Sequence, residues 1–180
     1  RDFDDAVYAA PRGRSGWTLW VAIADVANYV TENSPLDQTA IERGTSVYFP
    51  SEVIPMLPET LSNGLCSLNP HVDRLALAVC LEIASTGRVT SYRFHEVVFQ
   101  SQQRLSYKQV QDTLDAVEAD HQSPAALKDV IVESGHFNTT AVAENVADLF
   151  SLYRVLRAAR DDRGALDFDS VEPKFSFDEK

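Results

Sequence analysis

Residues 1–24, RDFDDAVYAAPRGRSGWTLWVAIA, contain two strand-forming segments that are separated by a turn. The segment from Asp5 to Ala10 predicts a short strand, and the apolar run from Trp17 to Ala24 predicts a buried one. The proline and the glycines of residues 11–16 favour a tight connection between the two. These residues therefore predict a β-hairpin whose first strand begins within a cluster of aspartates.

A second, longer hairpin is predicted from Arg74–Ala84 and Arg88–Gln100, which are joined by a short turn containing glycine. Between the two hairpins, Ser34 at the N-cap followed by proline predicts the start of a helix, and Gly44 predicts its end. The proline-rich residues 48–58 predict an extended loop, because proline disrupts helices and central strands.

The pattern of the second half is helical. Apolar residues recur at helical spacing over residues 139–161, and residues 107–117 and 124–134 are shorter amphipathic stretches. A last pair of strands is predicted at 165–169 and 174–177. A mixed or antiparallel sheet in the first half and helices in the second half indicate an α+β fold within one domain.

The composition limits the classes of function. The formal net charge of −11 argues against a simple electrostatic binder of nucleic acid, but it is compatible with an enzyme in which divalent ions stand between carboxylates and phosphates. No apolar run approaches the roughly 18 residues of a membrane helix, so no membrane association is expected. Cys66 and Cys80 lie in apolar surroundings, and we interpret them as reduced core residues of a cytoplasmic protein.

The aspartates Asp2, Asp4 and Asp5 have three interpretations. They form a solvated turn, a calcium loop or a magnesium site for phosphoryl transfer. The spacing, central glycine and closing glutamate of a calcium-binding EF-hand loop are absent. In a strand, Asp2 and Asp4 point to one face and Asp5 to the other, an arrangement that could hold one or two ions against a phosphate. The spacing alone leaves the solvated turn and the magnesium site open.

Other chemistries have weaker support. No serine or cysteine lies in a nucleophile-elbow pattern, and the histidines lack the spacing of metal ligands. Asp167 to Asp169 repeat the D-F-D pattern, but we interpret them as a surface turn. Arg74 is more typical of a structural residue than of a phosphate ligand, and Tyr48 could be a packed tyrosine. The histidines are His71, His95, His121 and His136.

Five motifs occur in an order that is specific to one family: R-D-F-D-D-A, V-A-I-A-D-V, S-V-Y-F-P, I-P-M-L-P and L-S-N-G-L-C-S-L. With these motifs the chain resembles the catalytic (RNB) domain of the ribonuclease II superfamily, nearest to the ribonuclease R branch. The resemblance extends over residues 1–180 and is densest over residues 1–79. It implies that the chain is the N-terminal half of such a domain, truncated at both ends.

The resemblance implies a 3′→5′ exoribonuclease that hydrolyses single-stranded RNA to nucleoside 5′-monophosphates with Mg²⁺ or Mn²⁺. Asp2, Asp4 and Asp5 match the last three positions of the family's D-x5-D-x-D-D signature, and Asp4 matches its most critical catalytic position. Tyr48 matches the aromatic residue that stacks on the 3′-terminal base. Tyr107 falls where some members place a tyrosine near the RNA.

The family's first aspartate, its downstream arginine and glutamate, and its flanking RNA-binding domains do not match any part of this chain. We therefore expect the isolated chain to be inactive. We expect the full-length protein to act on single-stranded RNA, alongside RNA-processing partners. One alternative is an inactive RNB-fold module that binds RNA or protein, and a second is a magnesium-dependent DNA nuclease.

Overall fold

The computed structural model describes residues 3–49, 52–119, 131 and 135–165. Within them an antiparallel sheet of four strands is accompanied by helices, so the fold class is α+β, as predicted. The strands are β1 (Asp5–Pro11), β2 (Gly16–Ala24), β3 (Val47–Tyr48), β4 (Val53–Ile54), β5 (Asp73–Ala84) and β6 (Val89–Gln100), and the helices are α1 (Pro35–Arg43), α2 (Tyr107–Ala119) and α3 (Thr140–Asp162).

The main sheet has the strand order β1-β2-β5-β6, and every neighbouring pair is antiparallel. Both predicted hairpins are therefore confirmed. At the start of β2, Gly16 has a φ of 124°, and a Cβ there would clash with the Ile83 carbonyl oxygen. Only glycine fits this position, because the backbones of β2 and β5 meet without room for a side chain.

Helix α1 begins and ends as its sequence predicts. The Ser34 hydroxyl oxygen accepts a hydrogen bond of 3.2 Å from the Asp37 backbone N–H, and the Asp37 carboxylate accepts one of 2.8 Å from the Asn33 N–H. These bonds satisfy backbone donors that the first helical turn leaves without partners. Gly44 ends the helix with a φ of 71°, a left-handed conformation that glycine adopts at low cost.

The helices predicted at 107–117 and 139–161 are confirmed as α2 and α3. Helix α3 begins after Thr139, whose hydroxyl oxygen accepts a hydrogen bond of 3.2 Å from the Val142 N–H. The helix predicted at 124–134, apart from Ile131, and the strands predicted at 165–169 and 174–177, apart from Ala165, lie outside the described residues.

One face of the main sheet packs against α3. Ala9 of β1 and Ile83 of β5 form a core cluster with Leu152 of the helix. The Asn145 side-chain amide donates a hydrogen bond of 2.7 Å to the Ala9 carbonyl oxygen and so ties the helix to the outer strand. This packing leaves the start of β1, with its aspartates, at the edge of the sheet.

The opposite face of the sheet receives residues 60–69. Small side chains at Ala22, Ala24 and Ala76 line this face, so an irregular segment can approach the strands closely. Residues Thr60–Leu65 form a π-helical turn, in which the Cys66 N–H donates to the Leu61 carbonyl five residues earlier at 2.9 Å. No sequence pattern indicated this turn. Such turns are frequent at functional sites.

Candidate functional site

The carboxylates of Asp4 and Asp5 are both exposed at the start of β1. The Ala24 N–H donates a hydrogen bond of 2.9 Å to the Asp4 carbonyl, which continues the β1–β2 pairing one residue beyond Asp5 and Ile23. The two carboxylates point to opposite sides of the sheet because neighbouring residues of a strand alternate. Asp4 therefore faces the side that residues 60–69 cover.

Phe3 lies between Asp2 and Asp4 in the sequence, and residues 60–69 hold its backbone. The Phe3 N–H donates to the Ser67 hydroxyl oxygen at 3.1 Å. The Phe3 carbonyl oxygen accepts from the Leu68 N–H at 2.8 Å. Both backbone polar groups of Phe3 are thus bonded to one segment, which fixes the direction in which the chain enters β1.

Arg74 of β5 holds that segment in turn. Its guanidinium donates to the backbone carbonyl oxygens of Ser67 at 2.7 Å, Gly64 at 3.1 Å and Asp73 at 3.0 Å. The planar guanidinium suits this role because its donors have a fixed geometry. The interpretation of Arg74 as a structural residue is confirmed by these contacts.

The pKa of the Cys66 thiol shows which charged side chains lie near this residue. Burial is the main cause that raises the pKa of the Cys66 thiol, the negative charge of Asp4 raises it further, the positive charge of Arg74 opposes the shift, and Asp25 adds a smaller increase. Two carboxylates and one guanidinium therefore surround a thiol that stays protonated at neutral pH.

Asp25 is a further candidate for a functional residue near Asp4, and the sequence analysis did not identify it. It directly follows β2, its N–H donates to the Leu75 carbonyl at 3.1 Å, and its carboxylate accepts a hydrogen bond of 3.2 Å from the Asn28 N–H. The predicted β1–β2 hairpin could have identified Asp25, because in an antiparallel pair the end of β2 lies beside the start of β1.

Arg104 connects the segment from Phe3 to Asp5, which we term the aspartate segment, to the chain before α2. Its guanidinium lies 3.9 Å from the centre of the Phe3 ring, within the range of a cation–π contact. Tyr107, the first residue of α2, follows three positions later and is 89% exposed. Its ring is therefore open to a ligand, and Arg104 ties this part of the chain to Phe3.

Tyr48 lies on a separate small hairpin formed by β3 and β4, which we term the Tyr48 hairpin. Tyr48 pairs with Val53, and its side chain is 67% exposed. Because most of the Tyr48 side chain is open to solvent among the residues that the structure describes, the interpretation of Tyr48 as a packed tyrosine is wrong. The hairpin is held by a hydrogen bond of 3.0 Å from the Met56 N–H to the Ser46 hydroxyl oxygen.

Two of the described histidines have structural side-chain contacts. His95 packs its ring against Trp20, with ring centres 5.3 Å apart. The His136 Nδ1 atom and the hydroxyl of Thr113, which is buried, form a hydrogen bond of 2.9 Å. His121 lies outside the described residues.

Within the described part of the chain, no three His, Cys, Asp or Glu side chains are close enough together to hold a metal ion. Asp2 and Asp167–Asp169 lie outside that part. The exposed carboxylate oxygens of Asp4 and Asp5 are nevertheless donors of the kind that Mg²⁺ prefers. A metal site of Asp2, Asp4 and Asp5 thus stays a prediction.

No helix of the described residues is long and apolar enough to span a membrane.

Comparison with known proteins gives the family. The RNB domain family matches residues 1–180. Ribonuclease R of Vibrio cholerae is 47% identical over 177 residues, which cover 98% of this chain and 20% of that protein. The chain therefore spans about a fifth of the length of this relative.

Solved structures agree with the sequence comparison. Mycoplasma genitalium RNase R, solved in complex with ribose-methylated single-stranded RNA, superposes with a TM-score of 0.82 at 33% identity, over 99% of this chain and 25% of that one. Yeast Ssd1, described as a pseudonuclease, shares the fold with a TM-score of 0.66 at 21% identity, over 88% of this chain and 17% of that one. The motifs, the fold and the family match agree, and the chain belongs to the RNB domain family.

Proposed function

We propose that this chain is the aspartate-bearing part of a 3′→5′ exoribonuclease that hydrolyses single-stranded RNA to nucleoside 5′-monophosphates. The observation that carries the proposal is the start of β1 in an RNB-family chain. There the backbone of Phe3 is held at both polar groups, and Asp4 beside it presents an exposed carboxylate. A fixed backbone with solvent-facing carboxylates suits a site that must hold ions against a phosphate.

Asp2, Asp4 and Asp5 would together hold Mg²⁺ or Mn²⁺, with Asp4 as the most critical of the three. When bound, such an ion makes attack by water on a phosphate diester easier, since it lowers the pKa of water and neutralises charge. The protein's part is to supply negative oxygen ligands at fixed positions. Cys66 is a poor nucleophile because it is only 3% exposed and its pKa is raised by burial, so a covalent route through this thiol has no support.

Tyr48 and Tyr107 would contact the RNA through their exposed rings. Stacking on an aromatic ring is worth about 1–3 kcal/mol per base and tolerates any base, as an exonuclease requires. The relative from Mycoplasma genitalium was solved with single-stranded RNA, which supports this substrate class. Because the chain has a net charge of −11, we expect the affinity for the phosphate backbone to come from other parts of the full-length protein.

We also propose that the isolated 180-residue chain is inactive and binds Mg²⁺ weakly. Three carboxylates without further ligands and without a substrate phosphate leave Mg²⁺ mostly to its own hydration shell. The free thiols of Cys66 and Cys80 support a cytoplasmic location for the full-length protein. We expect it to act there alongside RNA-processing partners.

A second candidate is an inactive module that binds RNA or protein through the same fold. The fold match to a pseudonuclease favours considering it, because a shared fold does not establish an activity. The presence of Asp4 and Asp5 argues for the enzyme, since both signature carboxylates remain and are exposed.

The test uses the full-length protein with one RNA sequence labelled at either its 5′ or its 3′ end, and a DNA of the same sequence, with Mg²⁺ or with EDTA. We expect release of the 3′ label as the first mononucleotide, a descending ladder from the 5′ label, intact DNA, and no reaction in EDTA. An Asp4→Asn preparation controls for contaminating nuclease. RNA binding without shortening would instead support the inactive module, and cleavage of DNA would support a DNA nuclease.

A further inference from the structure

A continuous path of hydrogen bonds leads from Arg74 to the aspartate segment. Arg74 Nε donates to the Ser67 carbonyl oxygen at 2.7 Å, and the hydroxyl oxygen of the same serine accepts from the Phe3 N–H at 3.1 Å. Ser67 is 0% exposed, so water does not compete for these bonds. This path thus connects Arg74 with the residue immediately before Asp4.

The same segment contacts Arg74 and Phe3 at further points. A second guanidinium nitrogen of Arg74 donates to the Gly64 carbonyl at 3.1 Å, and the Leu68 N–H donates to the Phe3 carbonyl at 2.8 Å. One side chain therefore holds the segment at Gly64 and Ser67, and the segment in turn holds Phe3 at both of its backbone polar groups.

We propose that Ser67 and Arg74 are positioning residues: through the backbone of Phe3 they set where the Asp4 carboxylate stands for a divalent metal ion. The inference rests on the proposed function, and it assigns to the L-S-N-G-L-C-S-L motif and to Arg74 a role in the metal site. Neither residue touches the ion or the RNA.

Precise positioning matters here because Mg²⁺ requires ligands near ideal octahedral geometry and binds few carboxylates. Neighbouring carboxylates also repel one another, so a loosened backbone lets them separate. A misplacement of about 1 Å at a reacting centre can cost on the order of a hundredfold in rate. A residue that merely stabilises the fold would lower the melting temperature without changing the metal dependence of the active fraction.

The experiment compares four variants of the full-length protein: Ser67→Ala, Arg74→Lys and Arg74→Met, with Arg88→Met as the control. Arg88 is an exposed arginine at the far end of the β5–β6 hairpin. Ser67→Ala removes the acceptor for the Phe3 N–H and a long hydrogen bond of 3.5 Å to the Asn69 side-chain oxygen, and it keeps the Ser67 carbonyl oxygen that Arg74 binds. This smaller change still tests the inference if Arg74→Met fails to fold. Arg74→Lys keeps the charge but cannot span three carbonyl oxygens.

Four quantities are measured: the single-turnover cleavage rate at saturating RNA across a range of Mg²⁺ concentrations, the RNA affinity, the Mn²⁺ affinity from the electron paramagnetic resonance signal of free Mn²⁺, and amide hydrogen exchange in the peptide that contains Phe3. For Ser67→Ala we expect a rate lower by about tenfold to a hundredfold at limiting Mg²⁺, partly restored by more Mg²⁺. RNA affinity should stay unchanged and exchange at Phe3 should be faster. Arg74→Lys should lie between wild type and Arg74→Met, and Arg88→Met should match wild type.

Wild-type rate and metal dependence in both Ser67→Ala and Arg74→Met would overturn the inference while leaving the proposed function intact. A reduced rate with unchanged metal dependence and unchanged exchange at Phe3 would overturn it as well. If the wild-type protein does not degrade RNA, the proposed function is wrong, and the Mn²⁺ affinity then decides the inference. A weaker affinity in Ser67→Ala supports it, and an unchanged affinity overturns it.

Discussion

The aspartate segment and the Tyr48 hairpin are held in very different ways. The segment from Phe3 to Asp5 is bonded to β2 on one side and to residues 67–68 on the other, and that second support is itself anchored by Arg74. The Tyr48 hairpin consists of strands of two residues each, with largely exposed side chains. The aspartate segment is fixed by partly buried hydrogen bonds, whereas the Tyr48 hairpin lies at the surface.

This difference corresponds to what each region is proposed to do. Metal ligands must keep a geometry within a fraction of an ångström, whereas a ring that stacks on successive bases has to tolerate movement. The comparison predicts that substitutions in the aspartate segment lower the cleavage rate strongly, and that substitutions in the Tyr48 hairpin lower it less.

The largest effect is expected for Asp4→Asn in the full-length protein. The change removes one negative ligand charge at nearly the same size, so hydrolysis should be abolished while RNA affinity stays nearly intact. Single-turnover cleavage and a binding assay on the same labelled RNA measure both quantities.

Asp112→Asn serves as the matched control for Asp4→Asn. Asp112 forms an exposed ion pair with Lys108 on α2, a kind of contact that contributes little stability. If Asp4→Asn kept more than a tenth of wild-type turnover, Asp4 would not be a metal ligand. Loss of RNA binding in step with activity would indicate a structural role for Asp4 instead.

A smaller but clear effect is expected for Tyr48→Ala. Loss of the stacking ring should slow cleavage by about tenfold to a hundredfold or change the length of the final resistant product, because the terminal nucleotide is no longer positioned. Tyr48→Phe should resemble wild type, since the stacking face remains. Product ladders from one short labelled RNA, with a thermal melt of each variant, measure the effect. An unchanged ladder with a lower melting temperature would remove Tyr48 from the site.

Tyr107→Ala is expected to have a weaker effect than Tyr48→Ala. The ring of Tyr107 is almost fully exposed at the start of α2, so its removal should leave the melting temperature unchanged. A few-fold loss of affinity for short RNA is expected from one lost stacking contact, with little change for long RNA. Affinity measured against RNA length checks this, and a large loss for long RNA would contradict it.

The smallest effect is expected for Ser46→Ala, which loosens the Tyr48 hairpin without touching its ring. It removes the acceptor for the Met56 N–H, a hydrogen bond with a net worth of about 0.5–1.5 kcal/mol, so cleavage should slow by about twofold. The comparison between the two regions would fail if Ser46→Ala were as damaging as Ser67→Ala, measured by cleavage rates under the same conditions.

Local patterns were sufficient to predict much of the fold. Alternating and apolar runs gave the two hairpins, Ser34 and Gly44 gave the limits of α1, and helical periodicity gave α3. Each of these depends on interactions between residues close in the sequence, which propensities and capping rules describe well. The aspartates and Tyr48 were found through ordered motifs that the family comparison confirmed as those of the RNB domain.

The tertiary structure alone revealed how the site is supported. Ser67 and Phe3 are 64 positions apart in the sequence, yet their hydrogen bond fixes the entry into β1. The π-helical turn and the contacts of Arg74 could not be predicted for the same reason. Side-chain hydrogen bonds between distant segments depend on how the sheet brings them together, and no local pattern encodes that geometry. The sequence thus indicated which carboxylates to examine, and only the packing of residues 60–69 against the sheet showed what holds them in place.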